Sequence, residues 1–148
     1  MAKHSAGLVV YRKRTGGVEV LLVHPGGPFW KNKDDGAWSI PKGEFTEGEN
    51  PLAVARREFQ EEIGQPIDGD FAALAPIKQR SGKTVHAWSI ETDVDVSQTH
   101  SNTFTIEWPP RSGKHQDFPE VDRVEWFPLD TAMKKINAAQ QELLQQLQ

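Results

Sequence analysis

The stretch "NPLAVARREFQEEIG" carries the local signals of one helix with defined ends. Asn50 suits the N-cap and Pro51 the first helical position, and Gly64 is placed to stop the helix. At about 100° per residue, Leu52, Ala55, Phe59 and Ile63 fall on one flank, an apolar stripe able to pack on a sheet. Glu58, Glu61 and Glu62 stand at i, i+3 and i+4 and project together from another flank. Like charges at these spacings repel by roughly a few tenths of a kcal/mol per pair, so the trio needs either full solvation or a cation. A solvated face is the ordinary outcome for an acidic cluster. The sharper outcome is a site for a hard divalent cation, because Mg²⁺ prefers carboxylate oxygens and keeps waters and substrate phosphates as its other ligands.

The rest of the chain limits what this helix can pack on. Two β-like runs, "SAGLVVYR" and "VEVLLVH", are joined through "KRTGG", where Gly16 and Gly17 supply a permissive backbone for a hairpin turn. A Gly, Pro, Lys and Asp-rich loop follows, then a short strand in "AWSI" and a turn-rich loop, "PKGEFTEGENP", leading into the helix. Further strands are expected across residues 71–78 and in "KTVHAWSIE", "NTFTIEW" and "DRVEWF". The run "LDTAMKKINAAQQELLQQL" reads as a C-terminal helix broken near Asn137. Mixed strands with two helices predict an α+β sandwich, and 148 residues without a repeat or boundary predict a single domain, 1–148. A net charge of -4 excludes a generally basic nucleic-acid or membrane binder, but admits a polyanionic substrate if a metal or local Lys and Arg offset the background. The chain has no cysteine and no apolar window of signal-peptide or transmembrane length, so a cytoplasmic location is expected. The expected partner is a small-molecule substrate, with no nucleic acid and no membrane; the sequence does not specify an oligomeric state.

Spacing separates the two readings of the acidic trio. Gly43, five residues, Glu49, seven residues, Arg57-Glu58-Phe59, one residue, Glu61-Glu62, one residue and Gly64 reproduce the Nudix box. Seven fixed positions at roughly 7% usage each coincide by chance on the order of once in 10⁸ starts. The chain therefore resembles the Nudix hydrolases, which cleave nucleoside diphosphates linked to another moiety. One departure is Gln65, where an apolar residue usually follows the last glycine. The resemblance implies an α/β/α sandwich with a mixed β-sheet and Mg²⁺ as cofactor, with Mn²⁺ as a substitute. It implies that Glu61 and Glu62 are the main metal ligands, that Glu58 is a further ligand or orients the attacking water, and that the backbone carbonyl of Lys42 completes the shell. It also implies that Glu49 pairs with Arg57 to hold the loop on the helix, a structural role shared with Gly43 and Gly64.

The flanks narrow the substrate. "AWSIPKGEFTEGE" and "GKTVHAWSIETD" resemble segments of the asymmetric diadenosine tetraphosphate hydrolases of the animal type. By that resemblance Lys42 and Lys83 contact phosphate, and Glu120 is an extra acidic ligand outside the box. The aromatic that would stack on adenine after Lys83 is Ala87 here, and residues 97–118 form a longer segment than that subfamily carries. Phe104 and Trp108 in this segment are either replacements, since a base stacked on an aromatic is worth about 1–3 kcal/mol, or part of a strand packing on the core. Trp38 is a further candidate substrate contact, with core packing as its alternative. Trp30 remains either a substrate contact or core, and His24, His86, His100 and His115 lack metal spacing. The expected activity is metal-dependent hydrolysis of dinucleoside polyphosphates. The alternatives are another pyrophosphate (a diphosphoinositol polyphosphate or a non-standard nucleoside triphosphate) and a nucleotide-sensing module without turnover.

Overall fold

The computed structural model describes residues 3–147. Its centre is β1 (His4–Arg14), whose residues Ser5 to Val10 are buried without interruption, as expected of a strand covered on both faces. Along its length β1 pairs in parallel with β6 (Thr84–Glu91). On its other edge the N-terminal half pairs antiparallel with β3 (Lys42–Phe45), and the C-terminal half with β2 (Gly17–Pro25); the turn between them is Thr15-Gly16, and Gly17, expected in the turn, already pairs with Arg14 as the first residue of β2. β9 (Val121–Pro128) adds antiparallel to β2, and the two-residue strands β4 (Ala72–Ala73) and β5 (Ile77–Lys78) pair with β6. The sheet is mixed. A second ribbon, β7 (Thr103–Glu107) with β8 (His115–Pro119), stands apart from it.

Alternation along the strands sends side chains to two cores. Ala6, Leu8, Val10, Leu21 and Val23 pack against Val54, Ala55, Phe59 and Ile63 of α1 (Pro51–Ile63). On the opposite face Val9, Val20 and Leu22 meet Trp38, Ile40, Ala132, Ile136, Leu143 and Leu144, from the loop before β3 and from the C-terminal helices. Those helices are α2 (Leu129–Lys135) and α3 (Gln141–Gln145), linked by a 3₁₀ turn at Ala138–Gln140, so the expected interruption falls at Asn137. The architecture is the α/β/α sandwich. No helix among the described residues is long and apolar enough to cross a membrane.

Three local expectations are corrected. "AWSI" is not a strand: Trp38 and Ser39 make single bridges to Ile136 and Val23, and Pro41, which has no N–H, cannot extend that ladder. The strand lies one step later, inside the loop expected to be only turns, where Lys42–Phe45 dock on β1. The span 71–78 forms two short strands in place of one, with Leu74 to Pro76 between them.

Candidate active site

The sequence builds α1 as its signals require. The Asn50 side chain accepts from Ala53 N at 3.0 Å, and Gly64 takes the left-handed conformation at φ 82° while its N–H donates to the Gln60 carbonyl. Burying Phe59 and Ile63 fixes the rotation of the helix, and this turns Glu58 and Glu62 toward β3. Glu62 is buried at 9% exposure, and its Oε2 accepts from the backbone N–H of Lys42 at 3.0 Å. Gly7 and Lys42 form a pair without mutual hydrogen bonds, the neighbouring bond running from Leu8 N to Pro41 O. Both backbone groups of Lys42 therefore point away from β1, so its carbonyl faces the same side as the Glu62 carboxylate.

Gly43 is the cradle for Glu58. A Cβ at residue 43 would fall on the Glu58 carboxylate. Gly43→Ala is therefore expected to push this carboxylate aside, lowering turnover by about 10-fold or more, because ångström-scale misplacement is costly in a catalytic set. The melting temperature should hardly move, since the displaced atoms end a flexible side chain. A large fall in melting temperature with unchanged kcat would remove Glu58 from the site.

The acids act on one another. Burial, then Glu58 and Glu120, push the Glu62 carboxyl up to about 8, with the Lys42 N–H opposing. Burial, then Glu61, with a smaller contribution from Glu120, raise Glu58. Burial, then Glu61, raise Glu120 as well. Glu58, Glu61, Glu62 and Glu120 are thus one electrostatic cluster, although among the described residues no three carboxylates or imidazoles already form a closed ligand set. The donor set still fits a hard divalent ion, because Mg²⁺ needs only one or two protein carboxylates directly and keeps water in the other positions. Arg57 lies 3.4 Å from Glu49 and 3.8 Å from both Glu58 and Glu61. Glu49 also accepts from Thr46 N at 2.9 Å, and the Thr46 backbone and hydroxyl hold its carboxyl below the usual range.

Glu120 arrives through a relay that spacing does not reveal. Asn102 N donates to the Glu61 carbonyl at 2.9 Å, Glu120 N to the Asn102 carbonyl at 2.8 Å, and Gly26 N to the Glu120 carbonyl at 2.9 Å. His100 N closes on the Ile63 carbonyl at 2.8 Å, so residues 100–102 cap the end of α1 and set the root of the β7–β8 ribbon. Buried His24, given no role from sequence, anchors the neighbouring loop: Nε2–H donates to the Lys33 carbonyl at 2.7 Å and Nδ1 pairs with Asp122 at 2.7 Å.

The remaining candidates separate. Lys83 Nζ lies 3.4 Å from Glu44, and burial followed by the Lys83 charge lowers the Lys42 ammonium, so the two lysines share one corner. Trp38 is a correction: at 1% exposure it is core, its Nε1–H donating to Asp34 at 2.8 Å and its ring edged by His24 and Phe127, so no substrate reaches it. Ala87 is buried in the same core, which explains why an aromatic there would have no open face. Trp108 is half-buried just beyond β7, 5.4 Å from Phe29.

A family profile described as "NUDIX domain" matches residues 1–147. The chain is 31% identical over 119 residues to the asymmetrical bis(5'-nucleosyl)-tetraphosphatase of Rattus norvegicus, covering 68% of this chain and 76% of that one. It is 27% identical over 119 residues to an 8-oxo-(d)GTP phosphatase of Mycolicibacterium smegmatis, covering 80% of this chain. It spans only 30% of that protein's length, and 38% of the length of Nudix hydrolase 5 of Arabidopsis thaliana. Among solved structures, a C. elegans Ap4A hydrolase binary complex superposes with a TM-score of 0.65 at 25% identity, covering 97% of this chain and 94% of that one. With the profile matching nearly end to end and the box residues assembled around α1, the chain belongs to the Nudix family.

Proposed function

We propose that this chain is a cytoplasmic, Mg²⁺-dependent hydrolase of phosphoanhydrides in nucleoside diphosphate-linked compounds, with dinucleoside polyphosphates such as diadenosine tetraphosphate as substrates. The carrying observation is the coupled carboxylate cluster whose most buried member, Glu62, is held by the backbone of Lys42. Glu58, Glu61, Glu62 and Glu120 and the Lys42 carbonyl would hold Mg²⁺, or Mn²⁺ in its place. Bound there, the metal would neutralise charge gathering on a bridging oxygen and acidify a water, roles worth about several kcal/mol in the transition state. Glu58, whose carboxyl is raised by burial and then by Glu61, is placed to take a proton from the attacking water. The Lys42 and Lys83 ammoniums bind the phosphate chain, while Glu49 and Arg57 keep the β3 loop against α1.

The rat relative and the C. elegans structure support the dinucleotide reading through their names and their coverage. A second reading, hydrolysis of a non-standard nucleoside triphosphate, is favoured by the mycobacterial relative. A sensor without turnover is disfavoured by the complete glutamate set. A panel of phosphoanhydrides assayed with Mg²⁺ and resolved by product chromatography separates these readings. Diadenosine tetraphosphate is expected to give ATP and AMP. Two ADP molecules would contradict asymmetric attack, and cleavage of another pyrophosphate in its place would favour the second reading.

A further inference from the structure

We propose that Phe29 and Trp108, flanked by Trp30, form a stacking platform for a nucleobase of the substrate, a role that rests on the nucleotide reading above. Phe29, at 62% exposure, and Trp30, at 39%, are the two large apolar side chains left open among the described residues, and they are adjacent in sequence. Trp108 comes to them from a separate element, edge-to-face on Phe29 with ring centroids 5.4 Å apart at 80°. An edge-to-face pair uses one ring's edge and one face of the other, so an outer π-face stays available for a third ring. Lys33 Nζ lies 5.1 Å from the Trp30 ring centroid, a cation at the rim of the aromatic surface.

Position links this surface to the carboxylates. Gly26 N–H binds the Glu120 carbonyl, and three residues of chain, at most about 10 Å, then lead to Phe29. On the other side Glu120 follows Pro119, which pairs with Thr103 at the root of the β7–β8 ribbon. Five residues of strand at about 3.3 Å each carry the chain roughly 16 Å to Trp108. The two routes leave the metal-site acid and meet again at the aromatic pair. Between them Phe104 packs over Gly27, where a Cβ would stand 2.9 Å from its ring, which keeps loop and ribbon together. An open cleft of about 320 Å³ runs from Glu62 to Thr103 and Pro119 at the root of the ribbon, with Arg123 and its ion-pair partner Asp122 also on its wall. His24, bonded at both nitrogens, fixes the far side of the loop at Lys33. An acid cluster, an open cleft reaching the root of the ribbon and an aromatic pair just beyond the end of its first strand suit a phosphate chain, a ribose and a base. They suit a second copy of the chain less well, since the apolar area is small and rimmed by charge.

The test is calorimetric binding, with Mg²⁺ present, of two non-hydrolysable probes. One is an ATP analogue with methylene bridges at both anhydrides; the other is methylenediphosphonate, which has no base. The double variant Phe29→Ala/Trp30→Ala, whose side chains are exposed, is expected to weaken the ATP analogue roughly 5- to 150-fold, the range for one stacked base, and to leave methylenediphosphonate within about 2-fold. Trp108→Ala should do the same, and Trp108→Phe should recover most of the loss. Equal weakening of both probes, or unchanged binding of the ATP analogue, would overturn the platform. So would a change in sedimentation from dimer to monomer in the double variant without loss of ATP-analogue binding, because the surface would then be an interface between copies. The hydrolase reading fails separately, by absence of turnover on the phosphoanhydride panel, and this leaves the binding comparison unaffected.

Discussion

Glu62→Gln is expected to keep the fold and to lower kcat by about 10³-fold or more, the scale of removing a metal ligand that stabilises transition-state charge. The substitution isolates charge from shape. With its carboxyl pushed up to about 8, Glu62 in the metal-free protein already carries a proton at neutral pH, so a neutral amide of the same size imitates the resident state. The amide oxygen can still accept from Lys42 N, and its neighbours Ile63 and Phe59 are undisturbed. Steady-state kinetics with Mg²⁺ beside a thermal melt of the metal-free protein separate the two effects. Near-normal turnover would remove Glu62 from the ligand set. Glu120→Gln should cost less, since its carboxylate is more open and water can take its place. If Glu120→Gln inactivates as fully as Glu62→Gln, Glu120 is the proton acceptor.

The helix and its acids were legible in the sequence because they depend on local chemistry. Asn50, Pro51 and Gly64 act through backbone groups within a turn of themselves, and the spacing of Glu58, Glu61 and Glu62 is set by helical pitch alone. What was hidden depends on contacts between distant segments. β3 reads as turn because "KGEF" is short and glycine-containing, and it becomes a strand only through pairing with His4 to Gly7. Trp38 looks the same in sequence whether it faces a ligand or a core; α2 and Phe127, far along the chain, decide the matter. Glu120 carries no spacing signal. Its position follows from Asn102 and Gly26, neither of which bears a chemical group that would have drawn notice. The pairing of Phe29 with Trp108 joins a loop to a ribbon tip nearly eighty positions away, and only Trp108 had been singled out.

In the absence of a divalent ion, stability is expected to fall as pH rises from about 5 to about 9. The sign follows from Glu62, whose carboxyl is raised from 4.5 to about 8 on folding. Between those values the folded state holds a proton that the unfolded chain has released, so raising the pH favours unfolding by up to about 1.4 kcal/mol per unit. The contribution is fully present below 4.5 and is lost as pH climbs through about 8. Glu58 and Glu120 are raised too and act in the same direction. Glu49, Asp34, Asp93 and Asp95 are lowered and exposed, so their opposing effect falls in acid, below this window. His86, lowered by burial and then by His4, opposes inside it just below its ordinary 6.5, and Lys42, lowered by burial and then by Lys83, opposes at its alkaline end; the fall set by Glu62 spans the wider range. Mg²⁺ needs the ionised carboxylates and so displaces the proton, which makes its binding tighter as pH rises. The melting temperature gained on adding Mg²⁺ should therefore be several degrees larger near pH 8 than near pH 6. Glu62→Gln should flatten the metal-free pH profile and remove most of the Mg²⁺ gain. Calorimetric melts across this range, with a chelator and with Mg²⁺, measure both. A flat metal-free profile in the parent chain, with the same Mg²⁺ gain at both pH values, would mean that Glu62 is ionised before any metal arrives and that burial does not control the site.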